Sequence, residues 1–154
     1  MNEIIIGCDN AAVHYQAVII KHLASLGVHA ESVGCDSAED STYYPLIAGR
    51  LCERIIESGY TKKGILICGT GIGMAMTANK YKGIRAAVCH DIFSTQRSVL
   101  SNDANVMCLG ERVIGIELAK LLVSQWVSLQ YADGASTPKI EAIRQIEEKN
   151  FHAV

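Results

Sequence analysis

The sequence predicts an α/β protein, a three-layer sandwich with a five-stranded parallel sheet and helices on both faces. Three observations predict it. Five short β-rich runs alternate with helical stretches along the chain. The runs are apolar without alternation, the pattern of strands covered on both faces. Glycine or proline punctuates most element ends, and strand–helix alternation of this kind builds a parallel sheet.

The elements follow in order. Ile4-Ile5-Ile6 is the first strand, because consecutive β-branched residues favour extended chain, and Gly7 follows it. A helix over 11–26 carries Val13, Ile20 and Leu23 among its apolar positions and stops at Gly27, a residue at ease in the left-handed conformation that ends helices. Residues 28–33 form the second strand. Pro45 opens a helix over 45–57, since its fixed φ suits the first helical position, and Gly59 closes it. Gly64-Ile65-Leu66-Ile67 is the third strand, and 72–79 is a short helix stopping before Gly83. A fourth strand over 84–88, a helix over 91–100 and a fifth strand over 105–109 come next. A helix over 116–129 carries Trp126 and Leu129, placed to pack in the core or on a partner. Asp133-Gly134 is a turn, and Thr137-Pro138 starts a polar-faced last helix over 138–149.

The bulk properties exclude several classes. The 154 residues, 49% of them hydrophobic, suit one domain over 1–154 with a full core. Fourteen basic and sixteen acidic residues leave a net charge of −2, with no basic stripe for nucleic acid or a membrane surface. Met1-Asn2-Glu3 is not a signal-peptide start, and the first apolar run is too short to span a bilayer. A soluble cytoplasmic protein is expected. The six cysteines, at 8, 35, 52, 68, 89 and 108, show no CxxC pair, so reduced thiols are expected and no metal site.

In a parallel α/β sheet, ligands bind at the carboxyl ends of the strands. The residues there are Gly7-Cys8-Asp9-Asn10, Gly34-Cys35-Asp36, Cys68-Gly69-Thr70-Gly71, Cys89-His90-Asp91 and Gly110-Glu111-Arg112. Four of the five carry a carboxylate; the other offers a thiol and a hydroxyl. Ionisable groups therefore converge on one rim.

Cys68-Gly69-Thr70-Gly71-Ile72-Gly73 carries the most chemistry. Its glycines allow close approach to the backbone, and successive N–H groups at a helix start form a nest for a phosphate or an enediolate oxygen. The same positive end favours a thiolate at Cys68, which could remove the proton beside a sugar carbonyl, with Thr70 bonding a substrate oxygen. A dinucleotide fingerprint would need glycine at Met74, and a Walker loop would need Gly-Lys-Ser/Thr. A covalent cysteine nucleophile lacks a histidine nearby in sequence. A tight turn around an inert cysteine remains the plain alternative. Among the smaller features, His14 and His22 are expected on a solvated helix face. Cys8, Cys89 and Cys108 are expected to pack as small hydrophobes.

The chain resembles the B-type ribose-5-phosphate isomerases and, within the same superfamily, the galactose-6-phosphate isomerase subunits. The matching segments run in order over essentially the whole chain. They are 6–9, 64–73, Ala78-Asn79-Lys80, Gly83-Ile84-Arg85-Ala86, Asn102-Asp103-Ala104-Asn105-Val106 and 110–115. The resemblance implies a Rossmann-like domain, aldose–ketose isomerisation of a sugar phosphate through a cis-enediolate, and no cofactor. It also implies a homodimer with shared active sites, open to pairing into a tetramer, with the last helix (about 138–150) on the partner. By position it implies Cys68 as base with Thr70 beside it. Gly69, Gly71, Ile72 and Gly73 match the anion hole, Asp9 and Tyr44 the sugar contacts, Asn102 a group near the carbonyl, and Arg112 the phosphate.

The departures from the family pattern cluster at substrate contacts. Asn10 stands where the family usually has histidine, and Ser101 replaces the histidine assigned to ring opening. Ala135 replaces an arginine, with Lys139 the next basic group, and Tyr43 replaces an aspartate. Serine is a poor acid–base at neutral pH, so Ser101 implies another ring opener or a substrate that is already open. His90 is a candidate opener, though a histidine so placed is more often a capping or hydrogen-bonding residue at a helix start. The expected reaction is of the ribose 5-phosphate to ribulose 5-phosphate type. The alternatives are a tetrose phosphate, a hexose phosphate such as allose or galactose 6-phosphate, or a catalytically silent sugar-phosphate-binding subunit. A nucleotide-binding domain is a weaker, third reading.

Overall fold

The computed structural model describes residues 3–151. Residues 1–2 and 152–154, the ends of the expected domain, lie outside the described residues. The strands are β1 (Glu3–Cys8), β2 (His29–Ser32), β3 (Lys63–Cys68), β4 (Ala86–Val88) and β5 (Val106–Gly110). The helices are α1 (Val13–Ser25), α2 (Tyr44–Glu57), α3 (Ile72–Ala78), α4 (Ile92–Leu100), α5 (Ile116–Ser128) and α6 (Thr137–Asn150). All strand pairs are parallel, in the order β2-β1-β3-β5-β4.

Alternate residues of each strand face opposite sides of the sheet. Ile4, Ile6, Ile65, Ile67, Met107 and Leu109 pack with Ile19 and Leu23 of α1 and Leu122, Val123 and Trp126 of α5. Ile5, Leu66, Val106 and Cys108 pack on the other face with Ile47, Leu51 and Ile55 of α2 and Met74 and Ala78 of α3. Full burial of each such Ile or Leu contributes roughly 1.5–3 kcal/mol. Two apolar layers enclosing one apolar sheet explain why the strands show no polar alternation.

The element boundaries differ from the sequence reading for identifiable reasons. β1 runs on to Cys8 because Gly7 and Cys8 pair with Leu66 and Ile67 of β3. β4 begins at Ala86 rather than residue 84. The Ile84 N–H donates back to Tyr81 O, and the Arg85 N–H donates to the side-chain oxygen of Asn105, so neither joins the ladder. Residues 10–12 wind as a 3-10 turn before α1, with Asp9 as its cap. His22 is not simply solvated: its Nε2 lies 2.6 Å from the Ser124 hydroxyl, joining α1 to α5. Trp126 is fully buried in the core. All six cysteines are free thiols, and burial pushes those of Cys8 and Cys52 up to about 12.

The topology places the functional rim. The chain steps from β1 out to β2, then crosses to β3 on the other side of β1, which makes a switch point between β1 and β3. β5 inserts between β3 and β4, so the carboxyl ends of β1, β3 and β5 stand side by side, with Cys8 opposite Ile67 and Cys68 opposite Gly110. α4 leaves the carboxyl end of β4 and returns the chain to the start of β5. Ser101 and Asn102, just after α4, therefore stand at the opposite end of the sheet. α5 makes the same return: Leu129 O, just past it, accepts from Lys63 Nζ at the start of β3 at 3.5 Å.

Candidate active site

Cys68 is the last residue of β3 and 5% exposed. The chain then turns sharply into α3, with Gly71 in the left-handed region at φ 76°. That turn swings the Gly71 N–H back onto Cys68 Sγ at 3.1 Å. A hydrogen bond to sulfur strengthens when the sulfur carries charge, and the turn supplies one such donor. Ile72 N–H donates to Thr70 Oγ1 at 3.3 Å, leaving the Thr70 hydroxyl proton free to donate to a ligand.

Three further elements close a pocket of about 430 Å³ around this turn, lined by Asp9, Tyr44, Cys68, Gly69, Thr70, Ile72, Gly73, Met76 and Arg112. Asp9 is held by its own turn: its backbone N–H donates to Ile67 O, and its carboxylate accepts from Ala11 N–H at 3.1 Å. Tyr44, at the start of α2, lies directly on Gly73; a Cβ there would meet the Tyr44 ring and hydroxyl at 2.5–2.7 Å. Arg112 is tied through its main chain, donating its N–H to Gly69 O at 3.0 Å, while its guanidinium lies over Gly69. The Arg112 side chain is 71% exposed, and its ion pair with Glu111 is long, at 3.7 Å. Such a solvated pair is weak and yields readily to an incoming anion.

The structure thus brings eight of the expected residues to one pocket: Asp9, Tyr44, Cys68, Gly69, Thr70, Ile72, Gly73 and Arg112. Gly71 sits behind them, and its amide serves Cys68. The others stand apart. Asn10 is exposed on the 3-10 turn and does not line the pocket. Asn102 lines a different groove, of about 450 Å³, with Arg85, Ile143, Ile146 and Phe151 among its walls, and its amide donates to Arg97 O. Ser101 is the residue that closes α4, and Lys139 is exposed in the first turn of α6. His90 is half-buried outside the pocket, with Nε2 accepting from Gly110 N–H at 2.8 Å. Its Nε2 is thus engaged with the backbone, as a hydrogen-bonding histidine just ahead of a helix would be. Asp91, after the carboxyl end of β4 as expected, caps α4 by accepting from Ser94 N–H.

Met76 is the lining residue that sequence reasoning missed. Its position four residues after Ile72 puts both on one face of α3, a signal available once Ile72 was placed. Among the described residues, no three His, Cys, Asp or Glu side chains are placed to hold a metal ion. No described helix is long and apolar enough to cross a membrane.

A thiol on an N–H donor, a free hydroxyl, a carboxylate and an unencumbered arginine around one small pocket fit proton transfer on a small anionic substrate. The family model described as Ribose/Galactose Isomerase matches residues 4–143. The chain belongs to that family. The D-erythrulose-4-phosphate isomerase 2 of Mycolicibacterium smegmatis is 44% identical, over 92% of this chain and 94% of that protein. The ribose-5-phosphate isomerase B of Escherichia coli is 41% identical, over 97% and 99%. Among solved structures, the Clostridium thermocellum ribose-5-phosphate isomerase B superposes with a TM-score of 0.89 at 36% identity, covering 96% of this chain and 98% of that one. The family resemblance and the α/β sandwich read from the sequence both hold. So does the reaction class, isomerisation of a sugar phosphate.

Proposed function

We propose that this isomerase interconverts a four-carbon aldose phosphate and its ketose phosphate, with Cys68 as the base. The observation that carries the reading is serine at position 101 in a chain whose Cys68 turn is intact. In a pentose 5-phosphate the C4 hydroxyl closes a five-membered ring, which must open before the carbonyl is available. In a tetrose 4-phosphate that oxygen is esterified, so the five-membered ring cannot form. Such a substrate arrives with its carbonyl free, and serine in place of an acid–base costs the reaction nothing. The name of the M. smegmatis relative, D-erythrulose-4-phosphate isomerase 2, supports the same substrate class.

The reaction needs one proton moved between adjacent carbons. The Cys68 thiolate takes the proton from the carbon beside the carbonyl, giving an enediolate. A proton shifts between the two enediolate oxygens, and Cys68 returns its own to the neighbouring carbon. Thr70 Oγ1–H and the backbone of 69–73 face the developing negative oxygen, a form of electrostatic stabilisation that acts most strongly in the transition state. Asp9 and Tyr44 border the hydroxyl end, and Arg112 takes the phosphate.

Two copies of the chain complete the site. Within one subunit, Ser101 stands at the opposite end of the sheet from Cys68, and neither Asn102 nor Lys139 lines its pocket. α6 presents Ile143 and Ile146, 44% and 62% exposed, along the groove that Asn102 lines. A second subunit covering that apolar groove would present these residues to its neighbour's Cys68 pocket.

The test is solvent-deuterium incorporation and turnover with D-erythrulose 4-phosphate, ribose 5-phosphate and galactose 6-phosphate side by side. The expected result is that the four-carbon substrate leads in kcat/KM. If ribose 5-phosphate leads instead, the tetrose reading fails and the E. coli relative's substrate is the better guide. If no sugar phosphate exchanges, the chain is a silent binding subunit.

A further inference from the structure

His90 is conspicuous because its ring replaces a main-chain bond. β4 and β5 pair as far as Val88 and Cys108, and Cys89 N–H still donates to Cys108 O. The chain of β4 then turns off into α4. The next β5 donor on that side, Gly110 N–H, would be left without a strand partner. His90 Nε2 accepts from it at 2.8 Å instead. An amide is only a donor, so Nε2 carries the lone pair and the neutral ring holds its hydrogen on Nδ1.

Gly110 is a joint of the active site. It pairs with Cys68 in register across β3 and β5. It packs so closely on Thr70 that a Cβ at Gly110 would meet the Thr70 Cα and carbonyl carbon at 2.7 Å. From Gly110 the chain turns so that Glu111 N–H donates to Cys68 O and Arg112 N–H to Gly69 O, at 2.9 and 3.0 Å. On one side of Gly110, β3 and its catalytic turn hold it; on the other, the His90 ring takes its N–H, while its carbonyl accepts from Val113 and Ile114 N–H within its own turn.

We propose that His90 is a positioning residue for the isomerisation: its unprotonated Nε2 holds the Gly110–Arg112 turn against the Cys68–Gly71 turn, and the site is competent only while that nitrogen carries no proton. The proposal rests on the reading of Cys68 as the base of a sugar-phosphate isomerase. His90 touches no substrate and lines no part of the Cys68 pocket. Its action passes through Gly110 to Thr70 and Arg112, the groups that face the enediolate and the phosphate.

The surroundings of the ring favour the accepting form. Burial disfavours its charged form and lowers its pKa, while Asp91 on its own turn pulls weakly the other way. Around the Gly110 end the titratable groups are Cys108 and Glu111 in the same chain segment, Cys68 across the β3 side and Arg112 beyond the turn; Cys89 adjoins the ring along β4. In the folded chain, His90 therefore gains its proton at a lower pH than an ordinary histidine. Its contribution to the folded state is present above the usual histidine range and is lost as pH falls through the lowered value.

The experiment uses the full chain with His90→Gln, whose side-chain oxygen can accept the same bond, and His90→Leu, which cannot. The wild-type Gly110 amide is followed by hydrogen exchange, and the His90 ring nitrogens by ¹⁵N spectra, across pH 4.5 to 8. Expected is a neutral Nδ1–H ring near pH 7.5 and a Gly110 amide that loses protection as the ring gains its second proton. His90→Leu should lower kcat/KM by about 10- to 100-fold, as displacement of aligned groups does. His90→Gln should hold within a few-fold of wild type and lose one proton from the acid limb of its pH profile. Equal loss in both variants, or an acid limb unchanged in His90→Gln, overturns the proposal. So does a Gly110 amide indifferent to the ring's charge. If His90→Leu does not fold, the amide titration and the His90→Gln profile decide without it. A wild type that exchanges no proton with any sugar phosphate sinks the isomerase reading itself, whatever the amide shows.

Discussion

The amide of Gly71 lies 3.1 Å from the sulfur of Cys68, three residues back along the chain. That relationship exists because Gly71 takes φ 76°, where a side chain is strained and a Cβ would stand 3.0 Å from the backbone of Leu109. Cys68→Ala should remove the base and leave the fold intact. Isomerisation and solvent-deuterium incorporation should fall by roughly a thousandfold or more, within the reach of general-base catalysis. Gly71→Ala should lower both stability and activity, at about 1–2 kcal/mol for the left-handed backbone alone. Undiminished exchange in Cys68→Ala would show the base to be another group.

Five of the six thiols are fully buried, and the sixth, Cys68, lines the candidate pocket. Burial pushes the thiols of Cys8, Cys35, Cys52, Cys89 and Cys108 up, so they stay protonated at pH 8. Brief iodoacetamide treatment of the native chain should therefore add one label, at Cys68, with loss of activity in step. Six labels are expected in denaturant. A first label elsewhere, read by peptide mass spectrometry, would contradict this assignment.

Much of this was legible in the sequence, and the gaps have physical causes. The unbroken apolar runs at 4–6, 64–67 and 106–109 declared a sheet covered on both faces. The Cys68 turn declared itself through its glycines. What stayed hidden was side-chain competition for backbone groups. Asn105 captures the Arg85 N–H and shortens β4. His90 captures the Gly110 N–H across twenty residues of chain. No local pattern announces such long-range bonds. That Asn102 and Cys68 lie at opposite ends of the sheet follows from the parallel strand direction, since Cys68 ends β3 and Asn102 precedes β5; which strand ends stand side by side is what strand order alone decides.

Arg112 is mostly exposed and only loosely paired with Glu111. Arg112→Ala should raise KM for the phosphorylated substrate by roughly 10- to 100-fold, the weight of a charge-assisted bond, with a smaller change in kcat. Arg112→Lys should recover part of that affinity, since a point charge replaces a two-pronged one. Equal KM values for all three forms, in steady-state kinetics at low salt, would remove Arg112 from the phosphate site.

Ser101→His offers a gain-of-function test. If absence of a ring opener tunes the wild type to a four-carbon substrate, a histidine at 101 should raise kcat/KM for ribose 5-phosphate severalfold or more, within general acid–base range. It should leave the four-carbon rate nearly unchanged. A variant that speeds both substrates equally, or neither, argues that position 101 does not set the choice.

Subunit sharing has a complementation test. Cys68→Ala and Asn102→Ala should each be inactive or nearly so alone. Refolded together in equal amounts, half the dimers are mixed, and each mixed dimer holds one intact site. About a quarter of wild-type activity is then expected. Mixtures no more active than their parts would place both residues in one subunit's site.

The pocket draws on the ends of β1, β3 and β5, three adjacent strands in the middle of the sheet. Such central strands belong to the last cooperative unit to open in a folded domain. The strand ends that carry the pocket therefore do not open before the subunit does. Denaturation should abolish activity no later than the tertiary signal, and a bound substrate analogue should raise the melting temperature of the whole domain. Selection for a firm active site and selection for a firm fold act here on the same hydrogen bonds.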